Sequence, residues 1–313
     1  MLDNTSRQIL VSLAKDGRSS YTKIAKQLNV KLSTVSKRVN YLLDNDVIVI
    51  QAVPSLRRMG YKVMVVVVLD VELSEVRSVC DKLVNNPNIS SIVTTFGRFD
   101  VILFAEFYTL DELNKLVQEE LPQIKGIHRM DTFFVSEIKK TYEGIYKQNP
   151  GSKPIAIDEV DKNLINELRI DGRANYTVLA KKYGISSATI SRRVASLIKK
   201  NVIKITVIPN PPRLLGYSSI AYLGLQVELG NINEICKELA SHPEVHLIMT
   251  LMGGFSILCV IVLPNLEDLY KFIIEQVSQI NGVYNVETSI RAELRKRTYL
   301  AFNIEEEITL FNK

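Results

Sequence analysis

Two short stretches carry the residue types that could do chemistry with a polyanion. One offers Lys31, Ser33, Thr34, Ser36, Lys37 and Arg38; the other offers Ser186, Ser187, Thr189, Ser191, Arg192 and Arg193. Hydroxyls and cations hold phosphate oxygens, and an arginine fork can also grip a guanine edge. At the start of a helix, such a set suits a DNA major groove. A solvated helix face can have the same composition, so the residues that position each set carry the argument.

Each set follows the same frame. Ala25 and Ala180 fall where two helices must approach closely, which a methyl group permits. Four residues on, Asn29 and Gly184 occupy a turn that needs positive φ, which glycine adopts freely and asparagine tolerates. Six residues further, Val35 and Ile190 plug the second helix onto the first. Val35, Val39, Leu42 and Leu43 then fall at helical spacing on one side, as do Ile190, Val194, Leu197 and Ile198. The spacing predicts a helix-turn-helix in each copy, with the hydroxyls and cations on the outer face. Two copies with the turn residues in place favour DNA binding over a merely solvated face.

Charge distribution agrees. The 313 residues carry a formal net charge of +5. Residues 1–53 carry +4 and residues 156–208 carry +5, so the rest of the chain is net −4. Basic charge concentrated on the two helix-turn-helix segments fits a double-stranded DNA partner. Cys80, Cys236 and Cys259 form no CxxC pair or disulfide framework, and Cys80 and Cys236 are expected as buried thiols on amphipathic helices. The N-terminus lacks a signal peptide pattern, and the apolar run 63–69 is too short to span a bilayer, so a reducing cytoplasm is expected.

The chain is a tandem repeat. Asp16-Gly17-Arg18 aligns with Asp171-Gly172-Arg173, and Pro54 with Pro209; after one inserted residue, Gly97 aligns with Gly253 and Thr132 with Thr288. In copy one the pattern predicts helices at 6–15, 20–28 and 32–45, then a wing strand at 47–53 closed by Pro54. Next come a strand at 62–71, a helix at 74–85, strands at 89–96 and 100–107, a helix at 109–121 with Thr109 and Glu112 as a capping box, and a strand at 127–138. The fold class is α+β: twice, a winged helix-turn-helix followed by a ferredoxin-like β-α-β-β-α-β domain. The expected domains are 1–54, 60–141, 158–209 and 216–300, joined by an exposed linker at 142–157 rich in Pro and Gly.

A winged helix-turn-helix followed by this sheet domain resembles the Lrp/AsnC family of transcriptional regulators. The matching residues are Asp16-Gly17-Arg18, the helix ending Arg38-Val39, Val47-Ile48, Gly97-Arg98-Phe99-Asp100, Thr132 and Ile138-Lys139. Such proteins usually have one unit per chain and pair through their sheet domains. Here the pair would lie within one polypeptide, or between copies in a homo-oligomer. The resemblance implies a small effector, often an amino acid, between sheet domains. Its site would use Thr94, Thr95, Phe96, Gly97, Arg98, Phe99 and Asp100, with Thr132 nearby, and in copy two Thr250, Met252, Gly253 and Gly254. Gly97 would let backbone amides face a carboxylate, and Asp100 could pair with an amine; alternatively, Asp100 only supports its hairpin. Copy two has Ser256 where copy one has Asp100, and copy one has Lys31 where copy two has the capping Ser186.

Siroheme decarboxylases share this architecture and use histidines and arginines around a porphyrin carboxylate. Against that reading, the chain has only His128, His242 and His246, none of them in the wing regions, and no tryptophan. No phosphate loop, metal-spaced His/Cys cluster or nucleophile elbow is found. The chain is therefore expected to be a regulator rather than an enzyme, with no catalytic residues, metal or cofactor.

Overall fold

The computed structural model describes residues 2–141 and 153–296. Copy one runs α1 (Asn4–Lys15), α2 (Tyr21–Leu28), α3 (Leu32–Asp44), β1 (Ile48–Pro54), α4 (Leu56–Met59), β2 (Val63–Val71), α5 (Val76–Leu83), β3 (Ile89–Gly97), β4 (Val101–Phe107), α6 (Leu110–Asn114) and β5 (Ile127–Lys140). Copy two runs α7 (Glu159–Ile170), α8 (Tyr176–Tyr183), α9 (Ser187–Lys199), β6 (Ile203–Pro209), α10 (Pro211–Leu215), β7 (Ser219–Val227), α11 (Ile232–Ser241), β8 (Val245–Met252), β9 (Ile257–Leu263), α12 (Leu266–Glu275) and β10 (Val283–Lys296). The predicted order holds in both copies. Two short helices, α4 and α10, were not anticipated, and the last predicted helix of copy one continues past α6 as π-helical and 3-10 turns. Its capping box is displaced: Thr109 accepts from the Glu112 N–H, but the Glu112 carboxylate accepts from the Tyr108 N–H instead.

These elements form two units that cut across the repeat. The first contains both helix-turn-helix segments, residues 2–60 and 153–216. The expected wing strand is present as β1, and its pairing crosses the repeat. It pairs antiparallel with β6, from Ile48 opposite Pro209 to Pro54 opposite Ile203. Each strand buries nearly every side chain, a burial that its partner from the other copy completes. The first helix of each copy packs on the strand of the other, α1 on β6 and α7 on β1. Gly17 and Gly172 make this approach possible. The Gly17 N–H donates to Ile205 O at 2.9 Å, and the Gly172 N–H to Ile50 O at 2.8 Å. A Cβ at Gly172 would lie 2.8 Å from the Gln51 backbone. Most of the expected linker, residues 142–152, lies outside the described residues. Its end is pinned rather than free, because the Ile155 N–H donates to Arg58 O at 2.8 Å.

The second unit contains both sheet domains, residues 61–141 and 217–296. Within copy one the strand order is β3-β4-β2-β5, and copy two repeats it as β9 and β7 between β8 and β10. The two sheets are not separate. β5 also pairs with β8, and β10 also pairs with β3, which closes one eight-stranded barrel. The sheet-to-sheet pairing expected from the resemblance thus lies within the chain. Strand alternation explains the layers. Val65, Val67 and Leu69 join Val79, Cys80, Leu113 and Leu116 in a helix-covered core, and Ala221, Leu223 and Leu225 do the same with Ile235, Cys236 and Leu269. The alternate residues fill the barrel, where Phe104 meets Tyr222 at a centroid distance of 6.2 Å. Cys80 and Cys236 are buried free thiols, as expected, and burial pushes each up to about 11. Among the described residues, no helix is long and apolar enough to cross a membrane.

Candidate nucleic-acid interface and effector sites

The turn of each helix-turn-helix is built by the residues that predicted it. Asn29 has φ 52° and Gly184 has φ 66°, both left-handed. The chain then reverses, and the Val30 N–H reaches Ala25 O at 3.0 Å while the Ile185 N–H reaches Ala180 O at 3.1 Å. These bonds satisfy carbonyls that would otherwise be orphaned at the helix ends. Ala25 and Ala180 are buried at the helix crossing, and Val35 and Ile190 are fully buried. The apolar seam continues through Val39 and Leu42, and through Val194 and Leu197. Its expected fourth position drifts outward, leaving Ile198 40% exposed.

The outer faces of α3 and α9 carry the expected set, with two corrections. Lys31, Ser33, Lys37, Ser186, Ser191 and Arg192 are exposed, and Thr34, Ser36, Ser187 and Thr189 are half-buried. Arg38 and Arg193 are instead turned toward the first helix of their own copy. Arg193 donates to Asp158 and Asp161, each at 2.8 Å. Arg38 donates to Asp3 and, at 2.7 Å, to Ser6. The reason is that Asp3 and Asp158 cap α1 and α7, so their carboxylates already sit beside the helix. The Arg38 side chain and the Ser6 N–H hold the Asp3 carboxyl well below the usual carboxylate range. The two arginines latch the reading helix to its support. The two helix starts also differ: the Ser186 hydroxyl accepts from the Thr189 N–H at 3.1 Å, whereas Lys31 makes no side-chain cap.

The hairpin residues do not assemble as one set. Thr132 lies in β5 and Thr94 in β3, which are opposite edges of the copy-one sheet. Because the last strand of each copy borders the other copy, the hairpin at 96–100 lies beside β10, with Gly97 opposite Ser289. Thr132 lies beside the other hairpin, since Phe134 is opposite Met252. There are therefore two composite sites. In the first, Phe96 and Arg98 are exposed and Arg98 pairs with Glu287 of copy two at 3.0 Å. In the second, Gly253 lies under the ring of Phe133, which also packs 5.3 Å from Phe255, while Met252 is 59% exposed. The Gln226 amide donates to the carbonyl of Gly254 at 2.8 Å.

Several expected effector residues are occupied by the fold. Thr94 and Thr95 are buried, and the Thr95 hydroxyl donates to Phe99 O. Thr250 is buried against the Ser136 hydroxyl at 2.8 Å. Asp100 accepts the Val71 N–H at 2.7 Å, so its carboxylate ties the hairpin to β2. That contact favours the hairpin role over a free amine receptor. It could have been anticipated from nothing local, since Val71 lies 29 residues away.

Comparison with known proteins gives a consistent result. The Lrp/AsnC ligand binding domain matches residues 64–145 and again 220–300. An AsnC-type helix-turn-helix domain matches residues 157–198, and a winged helix-turn-helix DNA-binding domain matches residues 2–49. An uncharacterised HTH-type transcriptional regulator of Pyrococcus horikoshii is 30% identical over 151 residues, covering 48% of this chain and 95% of the relative. The HTH-type transcriptional regulator LrpA of the same organism is 32% identical over 140 residues, covering 45% of this chain and 99% of its own length. Each relative thus matches about half of this chain. The crystal structure of the siroheme decarboxylase NirDL shares the fold over 99% of this chain and 100% of its own, with a TM-score of 0.66 at 14% identity.

Proposed function

The chain belongs to the Lrp/AsnC family and is a DNA-binding transcriptional regulator, and from that premise we propose that it reads an operator with both recognition helices and responds to a small effector, an amino acid, bound at its hairpin sites. The observation that carries the reading is the pair α3 and α9. Both present exposed hydroxyls and a long cation, Lys37 or Arg192, from the same closed unit. Arg192 can grip guanine with two donors, whereas Lys37 offers a point charge, so the two half-sites differ. Mobility shifts on duplex fragments of the source genome test this. Sequence-selective retardation that weakens steeply with salt supports the reading, because phosphate contacts release counterions. Equal retardation of every fragment at all salt concentrations contradicts it.

The effector reading rests on the twofold match to a ligand binding domain and on the composite hairpin sites. Calorimetric titration with an amino-acid panel tests it; the absence of binding heat for all of them rejects it. The free thiols Cys80, Cys236 and Cys259 suit a reducing cytoplasm.

A decarboxylase reading draws support from the full-length fold likeness alone. The histidines do not favour it. His246 is buried in β8, and desolvation, aided by the charge of Lys140, pushes it down to about 3. His242 follows α11 and packs edge-on against Phe272, and His128 lies on the stretch of β5 that pairs with β2 rather than β8. The chain is therefore proposed to have no enzymatic activity. Addition of a tetrapyrrole followed by an absorbance scan checks this: a shifted Soret band would revive the enzyme reading.

A further inference from the structure

The two Asp-Gly-Arg segments do more than end their helices. Asp16 Oδ1 accepts the Arg18 N–H at 3.0 Å, and Asp171 Oδ1 accepts the Arg173 N–H at 2.8 Å, which fixes the direction in which each arginine leaves. Each guanidinium then crosses to the other copy. Arg18 donates to Gly172 O at 2.8 Å and Ala174 O at 3.2 Å; Arg173 donates to Gly17 O at 2.8 Å and Ser19 O at 2.7 Å. Arg18 also lies over the ring of Tyr176 at 4.1 Å, and Arg173 over Tyr21 at 4.6 Å. Tyr21 and Tyr176 are the first residues of α2 and α8, the helices on which the recognition helices pack. Both arginines are half-buried, and desolvation lowers the pKa of Arg173.

We propose that Arg18 and Arg173 are positioning residues for DNA reading: a reciprocal clasp that fixes α3 and α9 in one spatial relation and so sets the half-site spacing the protein accepts. The chemistry suits the task. A planar fork satisfies two carbonyls at once while its face rests on a ring, a geometry lysine cannot reproduce. The glycines bring the turns close enough, and the aspartates hold each arginine in the direction of its targets. The β1–β6 ribbon joins the copies along their strands; the clasp fixes the rotation of each helical head against that ribbon. The inference rests on the DNA-reading proposal for its consequence but not for its geometry.

The test uses the full chain and duplexes selected from a random library by the unaltered protein. The variants are R18A/R173A and the milder R18K/R173K. Circular dichroism and thermal melting establish that each is folded. Affinity is measured for the selected site, for a single half-site, and for sites with bases inserted between the halves. The expected result is unchanged half-site affinity, a loss on the full site of about ten- to a hundredfold as the two contacts cease to reinforce one another, and flattened discrimination among spacings. Dyes on Lys37→Cys and Arg192→Cys report the head-to-head distance without DNA; the transfer-efficiency peak should be narrow with the arginines present and broad in both variants. Unchanged spacing discrimination or an unchanged peak width in a folded variant overturns the clasp. Parallel loss of half-site and full-site affinity would instead make the arginines DNA contacts. If the alanine pair does not fold, the lysine pair decides by the same two readouts. If no duplex is enriched by the unaltered protein, the DNA-reading proposal fails, and the dye distances still decide the clasp.

Discussion

The hairpin at 96–100 and the hairpin at 252–256 share a backbone and differ in nearly everything they present. The Asp100 N–H donates to Leu69 O at 3.0 Å, and the Ser256 N–H donates to Leu225 O at 2.9 Å. The Thr95 N–H reaches Asp100 O at 2.9 Å, and the Leu251 N–H reaches Ser256 O at 2.8 Å. Main-chain bonding and the two glycines, Gly97 at φ +140° and Gly253 at φ +144°, set the turn. The side chains are then free to diverge. One site has Arg98 paired with Glu287 across the copies, and Asp100 tied to β2. The other has Gly254 held by Gln226, and Phe133 lying against Gly253. Duplication within one chain permits this, because each site can change without its twin.

The two glycines give the largest test of that difference. A Cβ at Gly97 would lie 2.4 Å from the backbone carbonyl of Thr288, which cannot move without shifting β10. A Cβ at Gly253 would meet the Phe133 ring at 2.8 Å, which can swing away. Gly97→Ala should therefore cost about 4 kcal/mol in denaturant unfolding and Gly253→Ala about half as much. Equal losses would show that Phe133 is as immovable as the backbone.

The next effect is in acid. His246 has Ser90 as its counterpart in copy one, so only the copy-two sheet carries a buried imidazole. The unfolded chain takes up a proton near the ordinary value of 6.5, while the folded chain resists to about 3. Its stability is thus full above the first value and declines as the pH falls toward the second, by about 3 kcal/mol at about pH 4. His246→Leu should remove that part of the slope of Tm against pH. An unchanged slope assigns acid loss elsewhere.

Asp100 comes third. Asp100→Ala orphans the Val71 N–H and should cost about 1–3 kcal/mol, whereas Ser256→Ala should change little. Asp100→Asn keeps an acceptor for Val71 without the charge, so it should recover most of the stability. If amino-acid affinity still falls in the folded Asn variant, the carboxylate contributes to the effector site as well as to the hairpin. If affinity is unchanged, its role is confined to the hairpin.

The smallest expected effect is at the reading helices. Lys31→Ser would supply to α3 the cap that Ser186 gives α9, and should raise stability by about 0.5–1 kcal/mol. Ser186→Ala should lower it by a similar amount. Thermal melts that move in the same direction for both would contradict the cap assignment.

Much of this fold was legible in the sequence because its signals are local. Asn29, Gly184 and Ser186 act at the helix ends where they are read, and apolar runs bounded by turn residues locate the strands. Pairing was not legible. The residues of a strand do not tell which strands lie beside β1, β5 or β10, and in each case one neighbour belongs to the other copy. The same gap puts Thr132 beside the wrong hairpin and leaves Asp16-Gly17-Arg18 as a marker of the repeat and of the family resemblance alone. Arg38 and Arg193 were misread for a related reason: their spacing places them near the outer face, but the acids that hold them lie 32 to 35 residues earlier.

The central claim is that one chain carries two unlike reading heads. Selection of duplexes from a random library, by the unaltered protein and by Arg192→Ala, measures it most directly. The account predicts a bipartite site with two non-identical halves, and a loss of preference in one half only, on the order of 1–3 kcal/mol, when Arg192 is removed. Two identical halves that weaken together, or no enriched sequence at all, would contradict it.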